Sequence, residues 1–117
     1  MSETLSSFEM SRGDAAPDFS LPDAEGKIVS RSEIAGKQGL LVVFACNHCP
    51  FVIHLADSLG DFAREVSGQG VNTVVINSND LEKYPQDGPE LMKEFARDHR
   101  WEFPYLLDGS QEVAKAY

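Results

Sequence analysis

The sequence predicts an α/β fold in which a central, largely parallel sheet is flanked by helices. Three observations lead there. The strand-sized runs Leu40-Leu41-Val42-Val43-Phe44 and Val71-Asn72-Thr73-Val74-Val75-Ile76 are rich in apolar and β-branched residues, as in strands covered on both faces. Segments with apolar residues at helical spacing follow each of them. The resulting order is hairpin, β, α, β, α, β, α, which joins parallel strands through right-handed helical crossovers. The length of 117 residues suits one domain. A composition of 42% hydrophobic and 25% charged residues excludes a wholly disordered chain and a disulfide-dense mini-protein.

Residues 1–16 are polar and without a clear period, so a mobile arm is expected there, with the domain proper over 17–117. Phe19 and Leu21 alternate with polar residues, Asp23-Ala24-Glu25-Gly26 carries a turn signal, and Lys27-Ile28-Val29 follows, which reads as a β-hairpin. Ser30 and Glu33 fit a capping box for a short helix over 31–35, closed by Gly36. Residues 39–45 are expected to form a strand buried on both faces. A helix over 49–67 follows, with Phe51, Leu55, Leu59, Phe62 and Val66 on its apolar face and His54, Ser58, Asp61 and Glu65 opposite. Pro50 is tolerable in its first turn, where no intrahelical N–H bond is lost. A strand over 71–76 ends in the loop Asn77-Ser78-Asn79-Asp80. Asp87, Pro89 and Glu90 mark the start of a helix ending near His99, with Leu91, Met92, Phe95 and Ala96 on its apolar face. Residues 103–107 read as a strand, and Asp108 with Gln111 as caps of a last helix.

The formal net charge of −9, with no Lys/Arg cluster, opposes binding to nucleic acid or to an anionic membrane surface. No apolar run approaches the ~18 residues of a bilayer span. The first residues carry neither a basic nor an apolar signal region, so a cytoplasmic location is expected.

The two cysteines, Cys46 and Cys49, stand three positions apart between a strand and a helix. Such a pair cannot staple distant parts of the fold. Redox chemistry, metal binding and an inert thiol pair are the readings it leaves. The position favours the first. At a helix N-terminus, unpaired N–H groups and the helix dipole stabilise an anion, so the pKa of Cys46 should fall and its thiolate become nucleophilic. Cys49, one turn on, is within disulfide reach. His48 and Asn47 lie between the thiols and are candidates for tuning their potential. A positive charge or N–H donor on His48 would stabilise the thiolate and make the pair more oxidising. Ligands of open α/β sheets bind at the carboxyl ends of the strands, so Pro50, Asn77, Asn79 and Asp80 are candidates for a substrate groove. Turn chemistry explains the last three almost as well. Zinc needs four ligands, and only His48, His54 and His99 are available beside the cysteines, so no metal is assigned. His54 reads as a solvated surface residue and His99 as the end of a helix. Phe51, Phe62, Phe95, Met92 and Trp101 read as core, and nothing in the sequence supports an approach of Glu102 to the thiols.

Pro17-Asp18-Phe19-x-Leu21-Pro22-Asp23-x-x-Gly26-Lys27, the strand, and Cys46-Asn47-His48-Cys49-Pro50-Phe51-Val52 together resemble the thioredoxin superfamily, in its redoxin or AhpC/TSA-like branch. Ile76-Asn77-Ser78-Asn79-Asp80, Tyr84-Pro85, Phe103-Pro104-Tyr105-Leu106 and the stretch from Gln111 to Tyr117 extend the similarity over about 17–117. The resemblance implies a thioredoxin-like fold, with Cys46 as nucleophile and Cys49 as resolving thiol. It implies a thiol–disulfide oxidoreductase that needs no bound cofactor and acts on a protein or small-molecule disulfide or thiol. Three departures stand out. Ala45 replaces the Trp usual before the first cysteine of thioredoxins, and 39–45 holds no buried acid for proton transfer. The superfamily's cis-proline segment, strand hairpin and final helix have no counterpart before Tyr117. A missing C-terminal part would uncover a sheet edge through which copies associate.

A thiol peroxidase is the alternative. Peroxiredoxins carry a Thr three residues before the reactive Cys, and Val43 stands there. A non-enzymatic thioredoxin-like binding or redox-sensing module is the third reading, and metal delivery a weaker fourth.

Overall fold

The computed structural model describes residues 12–47, 50–78 and 88–117. The chain opens with a hairpin of β1 (Ser20–Pro22) and β2 (Ile28–Ser30), paired antiparallel with Leu21 opposite Val29. The Asp23 carboxylate closes its turn by accepting from the N–H groups of Glu25 (2.9 Å) and Lys27 (3.0 Å), and Gly26 supplies the left-handed residue at φ +85°. Helix α1 (Arg31–Ile34) follows directly. The expected capping box is not formed. The Ser30 hydroxyl donates to the Glu33 carboxylate (2.8 Å) and makes no bond to the helix backbone. Nor does Gly36 end the helix by flexibility. Ala35 closes it in an extended conformation, and a Cβ on Gly36 would meet the Gly70 carbonyl oxygen at 2.2 Å. Gly36 is needed for this close approach of two loops.

Strands β3 (Gly39–Phe44), β4 (Val71–Asn77) and β5 (Tyr105–Leu107) form a parallel sheet with β4 in the middle. Leu41 lies opposite Thr73, Phe44 opposite Ile76, and Val75 opposite Tyr105. The crossovers are α2 (Pro50–Ser67) and α3 (Pro89–Asp98), and α4 (Glu112–Ala116) ends the chain. An isolated bridge between Asp23 and Leu106 ties the hairpin to the sheet.

Alternation along β4 sends side chains to two core layers. Val74 and Ile76, both completely buried, pack with Phe19, Leu21, Val29 and Leu106 under the hairpin, with Val113 and Tyr117 of the last segment against them. Val75 packs on the other face with Ala56, Met92, Trp101 and Tyr105. Trp101 centres that layer. Its indole N–H donates to the Ala56 carbonyl (2.9 Å), and its ring meets Phe95, Phe103 and Tyr105 at about 5 Å.

Several expectations are corrected. Strand β3 is not buried on both faces. Its first five residues are half-buried and Phe44 is exposed, because among the described residues β3 pairs only with β4. Of the expected apolar face of α2, Leu59 packs inward, in a stripe with Val52, Ala56 and Ala63, whereas Leu55 and Phe62 are 56% and 49% exposed. Gly60 brings α2 close to the loop after α3, with its would-be Cβ at 3.0 Å from the His99 carbonyl, so bulky residues turn aside from that line. In α3, Met92 is fully buried but Leu91 is exposed. That helix starts after an N-cap at Gly88, and Asp87 lies outside the described residues. No helix of the described residues is long and apolar enough to cross a membrane.

Candidate functional site

The site is built where the strands end. Beyond Phe44 the ladder continues for one bond, from the Ala45 N–H to the Ile76 carbonyl (3.0 Å). Cys46 follows and is buried, 9% exposed. Helix α2 begins at Pro50, exposed in its first turn as expected. That turn contains no acidic residue. No carboxylate of its own therefore offsets the partial positive charge at the helix start.

Asn47 is equally buried, and its position is set from across the sheet. The Tyr105 hydroxyl, on β5, donates to Asn47 Oδ1 at 2.7 Å. Tyr105 is itself held by its register with Val75 and by the edge of the Trp101 ring, centroids 5.0 Å apart. The residue after the first cysteine is thus bonded to a strand 58 positions further along the chain.

Beside this bond, a second polar group closes the ends of β4 and β5. The Asp108 N–H donates to the Asn77 carbonyl (2.8 Å). The Asp108 carboxylate, completely buried, accepts from the Ser78 hydroxyl (2.8 Å) and from the Ala114 N–H (3.0 Å) on α4. Gln111 donates from its side-chain amide to the Ser78 carbonyl (2.9 Å). As expected, Asp108 caps α4, its carboxylate accepting from the Ala114 N–H in the first turn, and Gln111 is the N-cap residue, left-handed and without a side-chain cap bond of its own; both side chains also fasten the β4 loop.

The expected site residues separate as follows. Cys46, Asn47 and Pro50 lie together between β3 and α2. Asn77, a candidate for the substrate groove, is completely buried as the last residue of β4, so its side chain faces protein instead. His48, Cys49, Asn79 and Asp80 lie outside the described residues, as do Tyr84 and Pro85. His54 is exposed, and His99 is the C-cap of α3, where its Nδ1 pairs with Asp57 at 2.9 Å. Glu102 lines a cavity of about 480 Å³ with Thr73, Asn72 and Ser67, at the opposite end of the strands from Cys46. Sequence reasoning missed Tyr105, Ser78 and the buried role of Asp108. The signal was slight: a Tyr and an Asp at the two ends of a short apolar strand.

An apolar groove of about 390 Å³ runs beside the site. Val43, Phe44 and Ala45 of the β3 segment form one wall, and Val52, Leu55, Leu59 and Phe62 of α2 the other. It reaches the residue preceding Cys46.

The sequence pattern of the AhpC/TSA family matches residues 12–117. Peroxiredoxin Bcp of Escherichia coli is 29% identical over 105 residues, covering 90% of this chain and 62% of that protein. Chloroplastic peroxiredoxin Q of Triticum aestivum is 27% identical over 109 residues, covering 93% of this chain and 46% of that protein. Among solved structures, an uncharacterized conserved protein from Geobacillus kaustophilus superposes with a TM-score of 0.86 at 44% identity, covering 90% of this chain and 56% of that one. A hypothetical protein from Sinorhizobium meliloti 1021 gives 0.85 at 40% identity, covering 94% and 60%. The chain therefore spans between about half and about three-fifths of the length of these relatives. With its parallel sheet, its two helical layers and a cysteine where β3 meets α2, the chain belongs to the AhpC/TSA family.

Proposed function

We propose that the chain is the redox domain of a thiol–disulfide oxidoreductase in which Cys46 is the nucleophile and Cys49 the resolving thiol. The observation that carries this reading is the placement of Cys46: buried, at the end of β3, four residues before an 18-residue helix. In the proposed cycle the Cys46 thiolate attacks one sulfur of a substrate disulfide. A Cys46–substrate bond forms, the substrate S–S bond breaks, and one substrate thiolate leaves. Cys49 gives up its proton and attacks the Cys46 sulfur. The internal disulfide forms and the second substrate thiolate leaves. Two electrons pass from the protein dithiol to the substrate, and the protons released by the cysteines balance those taken up by the substrate thiolates. The reverse direction oxidises a substrate dithiol. No step calls for a bound cofactor, because the sulfurs carry the electrons. A protein or small-molecule disulfide is the substrate class, and a cytoplasmic site of action is part of the proposal.

A second reading is favoured by the names of the relatives, which are peroxiredoxins. A peroxidase would turn the Cys46 thiolate into a sulfenic acid at the cost of one peroxide O–O bond, with Cys49 condensing on it to release water. Val43 weighs against this. It is half-buried on the face of β3 that packs against Trp101 and its neighbours, and it offers no hydroxyl to peroxide.

The deciding experiment is a stopped-flow comparison of reduced protein mixed with hydrogen peroxide and with a mixed aromatic disulfide. The oxidoreductase reading expects rapid release of aromatic thiol and slow sulfenic acid formation, both lost in Cys46→Ser. Rapid sulfenic acid formation would establish the peroxidase reading instead. No reaction with either, together with partner binding that survives Cys46→Ser, would leave a binding module.

A further inference from the structure

We infer that Tyr105 is a positioning residue for the thiol loop: its buried bond to Asn47 holds Cys46 where the start of α2 stabilises the thiolate. The inference rests on the proposed Cys46/Cys49 chemistry and deepens it. Three observations support it. Asn47 directly follows Cys46, so whatever fixes Asn47 restrains Cys46. The bond is made inside the protein, with Asn47 and Tyr105 9% and 5% exposed, where water competes little for either group. The donor is anchored independently of the loop, by the β4–β5 ladder and by the Trp101 ring. A bond from a mobile side chain would restrain nothing. This one comes from a buried aromatic layer of the core.

The consequence is electrostatic. Stabilisation of a thiolate by a helix start falls off within the first turn, so it depends on where the sulfur is held. With the hydroxyl removed, Asn47 Oδ1 is left without this donor in a buried place. Asn47 then relaxes toward solvent and carries Cys46 away from the helix axis. The thiolate loses support, the reduced form is destabilised relative to the disulfide, and the pair becomes less oxidising.

Tyr105→Phe keeps the ring and deletes the bond. Its Cys46 titration, followed by thiolate absorbance in the reduced protein, is expected to shift upward with about a tenfold change in the proton equilibrium. The thiol–disulfide equilibrium against glutathione is expected to move about tenfold toward the disulfide, which is about 30 mV for a two-electron couple. Asn47→Ala removes the same bond from the loop side and should give the same shifts, with no further change in the double variant. Val74→Ala, completely buried in the core layer on the opposite face of the sheet, controls for loss of stability. It should lower the melting temperature and leave both equilibria unchanged. Shifts below twofold in folded Tyr105→Phe and Asn47→Ala would overturn the inference. So would equal shifts in Val74→Ala, because the effect would then be general loosening. A wild-type chain that forms no Cys46–Cys49 disulfide at any poise would instead remove the functional reading itself, and the positioning role with it.

Discussion

Trp101 gives the sharpest test of how the scaffold beneath the thiol loop is held together. It is 7% exposed, it is the chain's single tryptophan, and its ring touches three other aromatic rings. Burying an aromatic side chain removes roughly 150–250 Å² from water, worth about 4–6 kcal/mol at 25 cal/mol/Å². Alanine keeps a small part of this, and the neighbours close part of the cavity. The indole bond to the Ala56 carbonyl adds about 1 kcal/mol. Trp101→Ala should therefore cost about 4 kcal/mol, within the range seen when large aromatic residues are cut back in cores. Trp101→Phe keeps a ring and loses the bond, and should cost about 1–2 kcal/mol. At roughly 2.1 cal/mol/K of unfolding entropy per residue, the alanine variant should melt about 16 °C lower. Urea unfolding followed by far-ultraviolet circular dichroism measures both, because the substitution removes the fluorophore. A Trp101→Ala variant within 1 kcal/mol of the wild type would refute this account of the second core layer.

Three further outcomes are expected. Gly36→Ala should destabilise by about 1–3 kcal/mol, because its Cβ would meet the Gly70 carbonyl oxygen at 2.2 Å and only backbone can give way; urea midpoints of the two proteins decide this, and equal midpoints would contradict it. Burial raises the Tyr117 phenol above its ordinary pKa near 10, helped by Asp18 and opposed by Arg31, and its hydroxyl donates to the Pro17 carbonyl (2.6 Å). The folded state then holds the proton while the unfolded state gives it up. Stability should accordingly fall as pH rises above about 10, and Tyr117→Phe should lose that component in melts between pH 9 and 11. The edge of β3 that pairs with no strand among the described residues, together with the apolar groove bounded by Phe44 and Phe62, should make copies associate with rising concentration. Phe62→Asp should weaken this in sedimentation velocity, and a wild-type monomer at all concentrations would contradict it.

The alternation of strand and helix was legible in the sequence because each element has its own period. The two crossovers around β4 followed from runs such as Val74-Val75-Ile76 and from the spacing of Met92, Phe95 and Ala96. Two readings failed for one reason. An apolar run shows that a segment is apolar, but not how many neighbours cover it. The run at 40–44 reads as a strand buried on both faces, yet β3 is half-buried and has a single partner among the described residues. The spacing of the bulky residues of α2 predicts its inner face, which holds for Leu59. The close approach at Gly60 gives the inner line to Ala56 and Ala63, leaving Leu55 and Phe62 outside.

The candidate site divides similarly. Cys46 was legible because strand, thiol and helix follow one another directly in the chain. The groups that hold its loop were not. The bond from Tyr105 to Asn47 spans 58 positions, and the Ser78–Asp108 bond spans 30. No local period records such partners. Asp108 is legible as a helix cap because Asp is common there, and its carboxylate does accept from the Ala114 N–H of α4. Its burial and its second bond, from Ser78 of the β4 loop, are not legible, because the strand that ends beneath α4 is short.

The central claim is tested most directly by a glutathione redox titration of the purified chain. Thiols are alkylated at each poise and counted by mass, with Cys46→Ser as the control. The account predicts a reversible two-electron transition between dithiol and Cys46–Cys49 disulfide, absent in the control, with Cys46 titrating below an ordinary thiol. A chain that keeps two alkylatable thiols at every poise would contradict it.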